Sequence, residues 1–211
     1  MRNIIFTVFL LFCLLVSGNG INSQTKDPLT QSMFLSARIG YQTVDDRFKI
    51  KDVPLWYGED LPAAFNYDIG LDIPFGKNYF AGINYNGWYS SDDVYDDGDS
   101  VTFSRKIYGS NVDVLFKYRY RFSNFIFAPG IGFGSTLFKT KFSGYKVLEG
   151  QFRSNRMANI TIQLNLEYLW TKHLMICAGI TYYGMKQFSP GGNRSNNVFQ
   201  FKTGLNYSVR L

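Results

Sequence analysis

Apolar and polar residues alternate along the C-terminal stretch from Val198 to Leu211. From Phe199 onward every second residue is apolar, with Thr203 as a mild exception, and the residues between are small, polar or charged. A repeat of two residues places the two sets on opposite faces of a β-strand. A long strand with one apolar and one polar face is typical of transmembrane barrels, which are apolar towards lipid and polar inside.

The same alternation recurs along the chain and predicts about eight strands. The predicted strands are residues 33–43, 63–73, 79–89, 107–120, 125–138, 157–170, 174–183 and 198–211. Short turns around Gly76, Ser123 and Lys172 alternate with longer connections at 44–62, 90–105, 139–156 and 184–197. Short periplasmic turns and long outer loops are the outer-membrane arrangement. We therefore predict an all-β fold, a closed up-and-down antiparallel transmembrane β-barrel with meander topology.

The N-terminal segment has the pattern of an export signal. Arg2 precedes an apolar run at residues 4–16, which is short for a membrane-spanning helix, and small and polar residues follow. We predict cleavage after Ser23, with cleavage after Gly20 as the alternative. Lipid attachment at Cys13 is disfavoured because Phe12 stands where that signal needs a small residue. The predicted division is 1–23 signal peptide, 24–32 periplasmic segment and 33–211 barrel domain.

The composition of the remaining chain agrees with a barrel. No stretch after Gln24 could span a membrane as a helix, and lipid cannot satisfy an open sheet edge. Cys177 is then the single thiol, which excludes an internal disulfide. The formal net charge is +6, but Lys and Arg are scattered, so nucleic-acid binding is not expected.

A soluble barrel has the same alternation with the two faces exchanged. Large aromatic residues near the strand ends argue against it, because transmembrane barrels carry aromatic girdles at both membrane interfaces. These residues are Tyr79, Tyr89, Tyr108, Tyr118, Tyr120, Tyr168, Trp170, Tyr182, Phe199 and Tyr207.

Residues 34–211 resemble the small outer-membrane barrels of Gram-negative bacteria, which include the outer-membrane protein A and X type of eight-stranded barrel. Asn111-Val-Asp-Val-Leu-Phe-Lys-Tyr-Arg-Tyr and Ala128-Pro-Gly-Ile-Gly-Phe-Gly are similar to the middle hairpin of one broad family of this kind. The stretch from Val198 to Leu211 resembles the closing strand that the barrel-assembly machinery recognises. The resemblance implies this fold and a location in the outer membrane, and it carries over no catalytic residue.

Charged residues of both signs fall on the polar faces of the predicted strands. Unpaired charge in a confined lumen is costly, so we expect these residues to pair across the barrel, Arg38 with Asp68 in particular. An eight-stranded barrel is just filled by side chains, which predicts a plugged lumen, with Gly130, Gly132 and Gly134 making room in it. The predicted lumen network is Arg38, Asp68, Asp72, Asp113, Lys117, Arg119, Glu167, Lys202 and Arg210.

The long connections carry the candidate surface contacts. Those after the fifth and seventh predicted strands are basic, through Lys139, Lys141, Lys146, Arg153 and Arg194. These residues either bind lipopolysaccharide phosphates or serve solubility alone.

Two other connections leave their interpretations open. Trp56 and Tyr57 in the first long connection either pack on the rim or form a contact point. The acidic cluster around Asp96 is a solvated loop or a weak calcium site, and it lacks the Glu that ends a twelve-residue calcium loop.

Catalysis is not expected. Some small outer-membrane barrels are enzymes that act on lipid A or peptides, and their sites use a His near the outer leaflet. His173 is the only histidine, and it falls in a predicted periplasmic turn. We predict a monomeric outer-membrane protein without cofactor, in a structural or surface-interaction role. A barrel enzyme and a narrow channel for small solutes are the alternatives.

Overall fold

The computed structural model describes residues 32–44, 64–96, 101–144, 152–187 and 194–210. Within these ranges the strands form one sheet. Their bounds are β1 (Ser32–Val44), β2 (Ala64–Pro74), β3 (Tyr79–Asp96), β4 (Val101–Tyr118), β5 (Tyr120–Phe122), β6 (Phe125–Ser143), β7 (Phe152–Leu169), β8 (Leu174–Gln187) and β9 (Arg194–Arg210). Among the described residues no helix has the length and apolar character needed to cross a membrane.

The sheet closes into a barrel. Successive strands pair antiparallel, β1 pairs with β9, and β4 pairs with β6. The short β5 continues β4 beyond a break at Arg119, so the segments in the described ranges make eight strands around the barrel. The prediction of a closed eight-stranded antiparallel meander is confirmed.

Burial shows which face meets lipid. Along β2 the side chains alternate between buried and exposed. The exposed set is apolar, as at Phe65 and Ile69, whereas the buried set contains Asn66 and Asp68. Ile69 is 59% exposed, and large apolar side chains are exposed in the same way on every long strand around the barrel. A soluble barrel would have the opposite arrangement, so the outward face is a lipid-facing surface.

Aromatic rings mark both edges of this surface. We call the edge with the short connections the turn end and the opposite edge the loop end. Tyr89 packs on Tyr108 at the loop end, with ring centroids 5.1 Å apart. Tyr79 and Tyr89 lie on the same strand, and at about 3.3 Å per residue and a tilt of about 40° they are about 25 Å apart along the barrel axis. Tyr118 departs from the prediction, because it is buried against the Tyr79 ring.

Three of the predicted long connections are largely strand. The β3–β4 ladder continues to the pair Asp96–Val101, the β6–β7 ladder to Lys141–Phe152 and the β8–β9 ladder to Gln187–Arg194. Alternation stops beyond the lipid because both faces then meet water, although the backbone hydrogen bonds continue. The predicted connections at 90–105, 139–156 and 184–197 were therefore too long. The predicted signal peptide, residues 24–31 of the predicted periplasmic segment and residues 45–63 lie outside the described residues.

Candidate functional site

The barrel lumen contains two apolar clusters with polar side chains between them. The turn-end cluster consists of Phe34, Phe80, Ile126 and Met175, with Leu169 packed against it. The loop-end cluster consists of Ala64, Trp88, Ile107, Met157, Tyr183, Met185 and Val198. The alternation pattern missed both clusters, because their members occupy inward positions that are otherwise polar. Each end of the polar lumen is therefore covered by buried apolar side chains.

Asp68 is the centre of the first charged group. Its Oδ1 lies 2.7 Å from Nε of Arg38, which is directly opposite on β1. Its Oδ2 lies 2.6 Å from Nζ of Lys202, which comes from β9 on the far side of β1. All three side chains are almost completely buried. One carboxylate thus forms ion pairs with two cations from two other strands.

Asp72 is the centre of the second charged group. Lys117 places its Nζ 2.8 Å from Oδ1, and Arg119 places its Nη2 2.9 Å from Oδ2. The same Nη2 lies 3.3 Å from Oε1 of Glu167 on β7. The Arg119 guanidinium also stacks on Phe34, with 3.6 Å between Cζ and the ring centroid. Arg119 therefore joins the charged layer to the turn-end cluster through ion pairs and a cation–π contact.

The two remaining members of the predicted network behave differently. Asp113 is buried and accepts hydrogen bonds from Asn159 Nδ2 and from Thr161 Oγ1, the latter at 3.1 Å. Arg210 is exposed at the turn-end tip of β9, so its inclusion in the lumen network was wrong. It has the inward parity but lies beyond the enclosed part of the lumen. The eight buried members then carry four positive and four negative formal charges.

Neutral amides fill the space between the charged groups and the loop-end cluster. Gln200 donates from Nε2 to Gln42 Oε1 at 2.7 Å and to Asn86 Oδ1 at 2.9 Å. Asn86 in turn donates to the carbonyl of Tyr67 at 3.0 Å. These bonds connect β9, β1, β3 and β2 across the lumen, so amides and ion pairs together hold the barrel wall from inside.

Glycines on the inner wall leave room for these side chains. A Cβ atom at Gly82 would collide with Asp72 Oδ1, and one at Gly134 would collide with Asp113 Oδ1. Each glycine stands opposite the residue whose side chain lies over it. The charged groups therefore depend on missing Cβ atoms in the neighbouring strands.

Replacing Gly82 with Ala should lower the free energy of unfolding by about 1–3 kcal/mol. The added methyl group displaces the Asp72 carboxylate, which two ion pairs hold in place. Gly184→Ala is the matched control, because a Cβ there meets Tyr182 no closer than 3.4 Å. Urea unfolding of both variants in detergent micelles measures the difference, and equal stabilities would contradict the crowding at Gly82.

The predicted surface contacts are only partly within the described structure. Lys139 and Lys141 are exposed on the loop-end part of β6. Arg153 and Arg194 lie in strands, but their side chains are outside the described part, as are Trp56, Tyr57 and Lys146. Among the described residues no group of His, Cys, Asp or Glu side chains could hold a metal ion. Asp93, which belongs to the acidic cluster around Asp96, is exposed on β3.

His173 lies at the turn end, as predicted. It is exposed in the connection between β7 and β8. The hydroxyl of Thr171 accepts the backbone N–H groups of His173 at 3.3 Å and Leu174 at 3.0 Å. The His173 carbonyl accepts the N–H of Ser208 at 2.7 Å. The contacts of this residue therefore support the turn.

Comparison with known families now identifies the chain. Residues 25–209 match the sequence model of a family described as "Domain of unknown function (DUF2715)". The chain belongs to the DUF2715 family. No curated protein matches the DUF2715 chain significantly.

Several solved structures similar to this DUF2715 barrel are outer-membrane proteins. Neisserial surface protein A is 10% identical with a TM-score of 0.57, covering 83% of this chain and 96% of that one. Outer membrane protein OprG from Pseudomonas aeruginosa is 12% identical with a TM-score of 0.55, covering 86% and 97%. A major outer membrane protein from Thermus thermophilus is 11% identical with a TM-score of 0.53, covering 84% and 99%. These similarities show the fold. The barrel class and the apolar outward band together place the DUF2715 chain in the outer membrane, as predicted.

Proposed function

We propose that this DUF2715 protein is a closed outer-membrane barrel with a structural or surface-interaction role. The observation that carries the proposal is the filled lumen, in which ion pairs and amides lie between two apolar clusters. Water-filled pores belong to larger barrels, whereas an eight-stranded interior is filled by side chains. A narrow channel would have to open both clusters and separate buried ion pairs. The filled lumen therefore supports a closed interior rather than a channel.

The loop end is the surface that we assign to external contacts. The β3–β4 and β6–β7 ladders extend beyond the aromatic girdle and form a rigid support for the connections above them. Binding residues are commonly presented in this way on a rigid scaffold. Its partners in this proposal are lipopolysaccharide at the membrane surface and the barrel-assembly machinery, which would recognise the strand from Val198 to Leu211. The barrel acts as a monomer.

Catalysis is not part of this proposal. The enzymatic alternative is a barrel enzyme whose site uses a histidine near the loop end, together with Ser, Asp or Glu. The single histidine of the chain, His173, is exposed at the opposite end of the barrel. His173→Ala should therefore leave lipid A composition and peptide cleavage unchanged relative to the parent strain.

Reconstitution in a planar lipid bilayer tests the closed lumen. We expect no steady unitary conductance from the folded protein, because apolar side chains cover both ends of its polar interior. A large porin serves as the positive control in the same bilayer. Stable openings of uniform size would contradict the proposal and favour the channel alternative.

A further inference from the structure

Basic side chains occupy the first outward positions beyond the apolar band on three adjacent strands, and on β6 the second outward position as well. On β4, Lys106 lies two residues beyond the girdle residue Tyr108. On β6, Lys139 is directly opposite Tyr108, and Lys141 is directly opposite Lys106. On β7, Arg156 is directly opposite Leu137, one outward position before Lys139. We call Lys106, Lys139, Lys141 and Arg156 the outer basic patch.

The arrangement of the outer basic patch favours the binding of an anion. Lys106 and Lys141 face each other across two paired strands, and Lys139 follows on the same face. Like charges directly opposite each other destabilise a sheet, and a bound anion offsets that repulsion. The β4–β6 ladder continues beyond the Lys106–Lys141 pair to Ser104–Ser143, and the β6–β7 ladder reaches Lys141, so paired strands hold the backbone of these residues close together. On the neighbouring strand β3, the side chain of Asp93 is exposed.

The depth and direction of the patch indicate what the anion is. Two residues beyond Tyr108 correspond to about 5 Å along the barrel axis, which is the level of lipid headgroups. The four side chains have the same outward parity as the lipid-facing residues below them, so they point towards lipid and not over the barrel mouth. Lys and Arg can lay their stems on apolar surface while their charged ends reach headgroup phosphates.

We propose that the outer basic patch binds the phosphate groups of lipids in the leaflet at the loop end. This inference rests on the proposed surface-interaction role and assigns it to residues on rigid strands. Lys106 and Arg156 join Lys139 and Lys141 in this site, and the partner is a phosphate carried by a membrane lipid.

Lipid binding to the purified, folded barrel in nonionic detergent tests the patch. Native mass spectrometry measures retention of short-chain phosphatidic acid and of phosphatidylcholine with the same chains, with inorganic phosphate as a third probe. We expect the K106Q/K139Q/K141Q/R156Q variant to bind phosphatidic acid at least tenfold more weakly. The matched control removes four exposed charges at the turn end, K77Q/R121Q/K172Q/R210Q, and should change this affinity less than twofold.

Several outcomes would overturn the inference. Equal losses in both variants would show that net charge, and not the patch, attracts the lipid. Unchanged binding in the patch variant would exclude the site. Inorganic phosphate binding as tightly as phosphatidic acid would indicate a soluble anion as the partner. Conductance of the unsubstituted barrel is measured separately. A conducting barrel would contradict the closed-lumen proposal but would not change the interpretation of the lipid-binding result.

Discussion

Replacing Asp68 with Asn is expected to lower the free energy of unfolding by about 3–5 kcal/mol. The substitution keeps the side-chain shape but leaves Arg38 and Lys202 buried without their shared anion. A buried cation that loses its partner retains the full cost of desolvation. Urea unfolding followed by heat-modifiable gel mobility measures the loss, because folded and unfolded barrels migrate differently.

Two further variants separate the ion pairs from a general effect of charge. Asp93→Asn removes an exposed carboxylate on β3 and should not change stability measurably. Adding Lys202→Met to Asp68→Asn removes one of the two buried cations that lost the Asp68 carboxylate, and should restore part of the lost stability. If Asp68→Asn were as stable as Asp93→Asn, the ion-pair account of the lumen would be wrong.

Replacing Arg119 with Met should also cost about 3–5 kcal/mol. The change breaks the contacts to Asp72 and Glu167 and removes the guanidinium stacked on Phe34. Lys117 still neutralises Asp72, so most of the loss comes from Glu167, which is buried. The same urea titration measures the change.

Arg119→Lys shows whether the shape of the guanidinium matters. A lysine keeps the charge, but its ammonium cannot bridge two carboxylates and stack on a ring as the planar fork does, so we expect a stability between those of the parent and Arg119→Met. Arg121→Met is the control, because Arg121 is exposed two residues further along the chain and bonds the Ser123 carbonyl. Equal stabilities of Arg119→Met and Arg121→Met would contradict the role assigned to Arg119.

The barrel itself could be predicted from the sequence because lipid imposes a pattern on every spanning strand. The Arg38–Asp68 contact was also predictable, since both residues lie at similar distances from the turn end of adjacent strands. A two-residue repeat shows which face of a strand a residue lies on, but it does not show how far along the barrel axis the residue lies. Arg210 has the inward parity of Lys202, yet it is exposed at the end of β9.

Contacts between strands that are not neighbours could not be predicted. Lys117 reaches Asp72 across β3, and Arg119 reaches Glu167 across β6. Such contacts depend on the stagger of the closed barrel, which a strand-by-strand pattern does not contain. Lys106 was missed for a related reason, because alternation ends where the strand leaves the lipid and the residue fell at the edge of a predicted loop.

The accessibility of Cys177 tests the closed lumen most directly. This side chain is 1% exposed, points into the lumen and donates from Sγ to Asn206 Oδ1 at 3.6 Å. With Cys13 replaced by Ser, it is the single thiol of the chain. The account predicts that a small cationic methanethiosulfonate reagent leaves Cys177 unlabelled in the folded barrel and labels it rapidly in urea. Labelling of the folded barrel at a rate near that of the unfolded chain would contradict the closed lumen.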